Sequence, residues 1–260
     1  MKGSLVRESL RLGTFSGIRI GIHWSIILIA AVLTLTLANT ILPAAAPGLG
    51  DLSYWAAAAL TSALFLGSIV AHELGHTRGA LRDGLMVGGI TLFALGGVAS
   101  LESEPRSPGS AARIALAGPA VSVAIGIGSL LIAAVVGPLG WPELGVAALQ
   151  WLGLINLILA VFNMLPALPL DGGRVLQAML WRRKGNRHRA TISAARLGRL
   201  VGWLFIGLGL WQFSLGSSGL WTAFIGLFVI SSAKAEGARA KSELRREEWL
   251  ARGGAASRPL

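Results

Sequence analysis

The stretch Leu64-Phe65-Leu66-Gly67-Ser68-Ile69-Val70-Ala71-His72-Glu73-Leu74-Gly75-His76-Thr77-Arg78-Gly79 decides how the chain is read. It closes an apolar run that begins at Leu52 and is long enough, as a helix, to cross a hydrocarbon layer about 30 Å thick. Its last turns carry two imidazoles and a carboxylate. Ionisable groups at membrane depth are costly and mark functional sites.

On either side of it, further apolar segments run from Ile22 to Ile41, from Ile114 to Val136 and from Gly145 to Leu165. The region Leu200 to Ala233 is too long for one crossing and carries a break at Ser214-Leu215-Gly216-Ser217-Ser218-Gly219, so it reads as a fifth and a sixth span. The composition agrees with lipid as the main solvent: 53% of residues are hydrophobic, 13% are charged and mean hydropathy is +0.66. Absence of cysteine excludes a disulfide framework, a thiolate zinc site and a cysteine nucleophile. Any metal must therefore take His, Asp or Glu.

A net charge of +11 in a soluble protein would suggest nucleic acid. Here all 23 Lys and Arg fall before the first span, between the second and third, between the fourth and fifth, or after the sixth. That is the positive-inside pattern of a multi-pass cell-membrane protein with both termini in the cytoplasm, and it removes nucleic acid as a partner. The expected organisation is a cytoplasmic N-terminal segment over 1–21, a six-span domain over 22–235 and a charged cytoplasmic tail over 236–260. The first span is too long for the apolar core of a signal peptide. The fold class is all-α, with one exception. Residues 85–101 are apolar and β-favouring but interrupted by Gly88-Gly89 and Gly96-Gly97, which suits a β-hairpin or a re-entrant segment, with a short helix of close-packing glycines as the alternative.

His72 and His76 stand four apart and share one helix face, so both can bind one metal ion while Glu73 beside them acts as base on a water. Composition alone would generate this pattern about 0.003 times in such a chain. A catalytic zinc takes three protein ligands and keeps a position open, so a third ligand is required. Asp171 is the candidate. It follows the fourth span in Asn163-Met164-Leu165-Pro166-Ala167-Leu168-Pro169-Leu170-Asp171-Gly172-Gly173, where prolines break the helix, and two spans running in the same direction bring it to the same membrane face as the histidines. Taken alone, Asp171 also reads as the cap of a helix that begins near Gly172.

These residues resemble the site-2 proteases, intramembrane zinc metallopeptidases that cut membrane-embedded or membrane-adjacent proteins. The resemblance rests on His72 to His76 and Asn163 to Gly173, with support from Gly96-Gly97-Val98-Ala99, Ala117-Gly118-Pro119 and Gly17 to Trp24. It implies that His72, His76 and Asp171 bind one zinc ion, that Glu73 is the general base, and that Asn163 orients substrate or polarises its carbonyl. The chain looks like the compact six-span subgroup without a PDZ or CBS domain. The implied partner is a single-span membrane protein such as a membrane-anchored regulator, cleaved from an active site open to the cytoplasm. Gly96 and Gly97 lie in a segment suited to pair with an extended substrate. A divalent-metal transporter and a non-proteolytic membrane scaffold are the competing classes: the first needs a chain of ligands across the membrane, and the second needs no Glu73.

Overall fold

The computed structural model describes residues 10–15, 18–93, 96–101, 104–216 and 218–252. Parts of the expected N-terminal segment (1–9 and 16–17), of the expected hairpin (94–95) and of the expected tail (253–260) lie outside the described residues. The chain forms two compact units, Met1–Pro105 with Ala117–Val161, and Arg106–Leu116 with Phe162–Leu260.

The first unit opens with strands β1 (Leu10–Phe15) and β2 (Ile18–Ile22). The alternation Ile18-Arg19-Ile20-Gly21-Ile22 has the period of a strand. This corrects the all-α expectation and the start of the first span: Ile22 closes a strand, and α1 (Ser25–Thr36) begins three residues later. His23 Nδ1 accepts from Ser25 N–H at 3.3 Å, which secures the first turn of α1. The helix then widens into a π-helical segment, Leu37–Ile41, and ends as α2, Leu42–Ala45. The side chains of Thr36 and Asn39 donate to the carbonyls of Val32 and Leu35, four residues back, in the same region. Leu37, Ala38 and Leu42 pack with Tyr54, Ala58 and Ala147 in a buried cluster.

Helix α3 (Asp51–Arg82) leads through a turn at Asp83–Gly84 into β3 (Val87–Phe93) and β4 (Gly96–Leu101). β3 and β4 pair antiparallel, so the Gly-rich segment is strand and not helix. The pair belongs to a four-stranded sheet of order β1-β2-β3-β4, in which β2 and β3 run parallel and β4 is an edge. Helix α4 (Pro108–Val136) enters this unit at Ala117 and crosses α5 (Glu143–Asn163) at Gly126 and Gly153.

In the second unit the chain doubles back after α5 into α6 (Asp171–Lys184). A Cβ on Gly172 would strike the Met164 and Leu165 carbonyls, and one on Gly173 would strike Ala167 and Leu168. The two glycines are therefore required by close approach. Helices α7 (Arg187–Ser214) and α8 (Gly219–Ala251) form a long antiparallel pair around the break expected near Ser214. α8 runs without interruption from Gly219 past Lys234 to Ala251, so the charged tail begins as a continuation of this helix. It is tied to the start of α7 by His188–Glu247 at 3.0 Å and Arg189–Glu248 at 3.5 Å.

Among the described residues, five helices are long and apolar enough to cross a membrane: Ser25–Ala45, α3, α4, α5 and α7. Their side chains face outward in a way water would not tolerate, with Leu131 61%, Val161 70% and Leu204 64% exposed. α8 falls short because Lys234 interrupts its apolar part, Gly219–Ala233.

Candidate metal centre

The histidine pair stands in the last third of α3. Four residues of helix bring the side chains onto one face, and the two rings meet edge to face with centroids 4.8 Å apart. Their Nε2 atoms lie 3.1 Å from each other. Two imidazoles bound to one tetrahedral zinc at 2.0–2.1 Å would hold their nitrogens about 3.3 Å apart. The pair thus has the separation the ion requires.

The setting of the pair is built by α4. His72 is buried, and its Nδ1 lies 2.8 Å from the Oγ of Ser122, which is itself fully buried. A neutral His72 that offers Nε2 to a metal carries its proton on Nδ1, and Ser122 is the acceptor for that proton. One turn earlier on α4, Gly118 faces both rings. A Cβ there would collide with the Nε2 atoms of His76 and His72, so this glycine keeps the space in front of both donor atoms open. Gly75, inside the motif, allows the approach: a Cβ on it would be 2.8 Å from the Ala117 carbonyl oxygen. Neither Ser122 nor the reason for Gly118 is evident from the sequence. The available signal is a serine one turn after a Gly-Pro pair in an apolar span.

Asp171 is the first residue of α6, with Leu170 in the cap position. This corrects the alternative reading of Asp171 as the cap itself. Its carboxylate sits in the first helical turn, where the helix dipole favours negative charge. Among the described residues, His72, His76 and Asp171 make up one group of three metal-binding side chains, with one ligand atom from each within 4.8 Å of the others. Two imidazoles and one carboxylate are a zinc donor set that leaves a coordination position open. The residues present therefore fit the ion.

Glu73, next to His72 on α3, is half-buried. Asn163 is the last residue of α5 and is also half-buried. Gly96 and Gly97 open the edge strand β4, opposite Phe93 and Leu92 of β3.

Comparison with known proteins agrees with this architecture. The profile of Peptidase family M50 matches residues 60–143 and 139–205, which includes the histidine pair and Asp171. The chain is 40% identical over 240 residues to Rip3 of Mycobacterium tuberculosis, covering 92% of this chain and 61% of that protein. It is 37% identical over 255 residues to sll0528 of Synechocystis sp., covering 96% of this chain and 65% of that one. The names of both relatives describe zinc metalloproteases, and the chain spans about three-fifths of their length. A solved structure, the site-2 protease from Methanocaldococcus jannaschii, superposes with a TM-score of 0.59 at 31% identity, covering 88% of this chain and 94% of that one. A family profile that embraces both halves of the donor group and a solved relative matched over 88% of the chain lead to one conclusion: the chain belongs to peptidase family M50.

Proposed function

We propose that the chain is an intramembrane zinc endopeptidase that hydrolyses peptide bonds of membrane-embedded or membrane-tethered proteins. The observation that carries this reading is that one ligand atom each from His72, His76 and Asp171 lies within 4.8 Å of the others, with Glu73 next to His72 in the sequence. His72, His76 and Asp171 hold the ion. When bound, zinc supplies Lewis acidity to water and to a peptide carbonyl. Glu73 removes a proton from the attacking water and returns it to the leaving amine nitrogen, so one carboxylate serves as base and then as acid. Ser122 holds His72 in the tautomer and orientation that present Nε2. Asn163 orients the substrate carbonyl.

A substrate helix hides its carbonyls in its own hydrogen bonds and must be unwound locally before attack. β4, an edge of the sheet, offers main-chain groups to an extended peptide along Gly96 and Gly97. Val98→Pro is expected to reduce cleavage while zinc stays bound, and unchanged turnover rejects strand addition. The layout proposed is six spans with both termini and the active site toward the cytoplasm, an N-terminal segment over 1–21, the protease domain over 22–235 and the tail over 236–260. α8 supplies the sixth span: its fifteen uncharged residues Gly219–Ala233 reach about 22 Å at 1.5 Å per residue, and Lys234 extends its head toward the interface.

The decisive experiment compares wild type with Glu73→Gln, reconstituted with a single-span substrate. Retained zinc with cleavage abolished supports the endopeptidase. A protein that never cleaves but moves metal ions would be a transporter, and one that does neither would be a scaffold.

A further inference from the structure

A second concave site lies in the second unit, far along the sequence from the histidine motif. Lys184 at the end of α6 and Arg189, Ile192, Ser193 and Arg196 on α7 line a concavity of about 480 Å³. Lys184 Nζ donates to Ser193 Oγ at 2.5 Å, which draws the ammonium group across from α6 onto α7. Arg189 is partnered by Glu248 at 3.5 Å. Lys184 and Arg196 have no carboxylate partner among the described residues, and no acidic side chain lines the cavity. Two of the three cations that line the pocket, Lys184 and Arg196, are therefore left without a described carboxylate to neutralise them.

The continuation of the same helix face selects the ligand. From Arg189 the face runs through Ser193 and Arg196, at spacings of four and three, to Leu200, Trp203 and Leu204. Those three are 56%, 61% and 64% exposed, and they begin the apolar part of a helix long enough to span a membrane. One face thus presents a cationic pocket and, directly beyond it, an uncovered apolar stripe. A free phosphate needs only the first. A glycerophospholipid needs both, its phosphate in the pocket and an acyl chain along the stripe.

We propose that this pocket is a binding site for the phosphate group of an anionic phospholipid. The test uses the full-length protein in neutral detergent, with retention of short-chain phosphatidylglycerol, phosphatidylcholine and inorganic phosphate measured by native mass spectrometry. Wild type is expected to retain phosphatidylglycerol in preference to the other two. The double variant Lys184→Gln/Arg196→Gln is expected to bind it about thirtyfold more weakly. Arg183→Gln, an exposed cation outside the pocket lining, is the control and is expected to bind like wild type. The proposal is overturned if Arg183→Gln weakens retention as much as the double variant, if phosphatidylcholine is held equally well, or if inorganic phosphate displaces phosphatidylglycerol at equal concentration. None of these readouts depends on peptidase activity.

Discussion

The end of α3 and the α7–α8 pair both depend on glycine, for different reasons. At the end of α3, Gly118 keeps α4 from filling the space where two imidazole nitrogens converge. In the α7–α8 pair, glycines face glycines: a Cβ on Gly226 would be 2.6 Å from the Gly202 carbonyl oxygen, and one on Gly209 would be 2.6 Å from that of Gly219. There the small residues let two backbones touch, the usual means of joining helices that share an apolar solvent. One residue type thus guards a chemical site in one region and a packing surface in the other. Composition does not distinguish the two uses.

Substitutions separate them. Gly118→Ala should have the largest effect, because its methyl group would occupy the space in front of both Nε2 atoms. Zinc content measured on the purified protein is expected to fall to background with helical circular dichroism unchanged; one zinc per chain in this variant would show that the pair does not hold the ion. Gly219→Leu acts on the other region. It should destabilise the α7–α8 pair by about 1–3 kcal/mol through overpacking, read as a lower unfolding temperature in detergent, while zinc stoichiometry of the folded protein stays at one. A loss of metal without a loss of stability would erase the distinction between the two regions.

Ser122→Ala is the smallest and most discriminating change. Removing the partner of His72 Nδ1 should weaken zinc about tenfold in chelator competition, the lower end of the range for groups that orient a metal ligand. Ser122→Thr, which retains a hydroxyl, should restore most of the affinity. If both variants bind zinc like wild type, Ser122 fills space and orients nothing.

Much of this is legible in the order of residues. Helical periodicity puts His72 and His76 on one face, and length with hydropathy marks the apolar segments that become α1, α3, α4, α5 and α7. The Gly-rich run at 85–101 is readable as strand because two Gly-Gly pairs disfavour a helix there. The β1–β2 pair escapes a sequence reading although Ile18 to Ile22 alternates with period two, because so short a stretch, interrupted by Arg19, falls in the basic segment before the long apolar run that opens at Ile22. The tail reads as a separate segment because its charge differs from that of Gly219–Ala233, yet backbone hydrogen bonding carries α8 through the change without regard to polarity.

The sequence alone determined which residues offer metal-binding atoms and which stretches belong in lipid, since both follow from side-chain chemistry and from spacing within one helix. Only the tertiary structure decided that Ser122 Oγ lies within hydrogen-bond distance of His72 Nδ1, that Gly118 must lack a side chain, and that glycines of α7 face glycines of α8. Those relations join residues far apart in the chain, and no local period records which helix face will meet another.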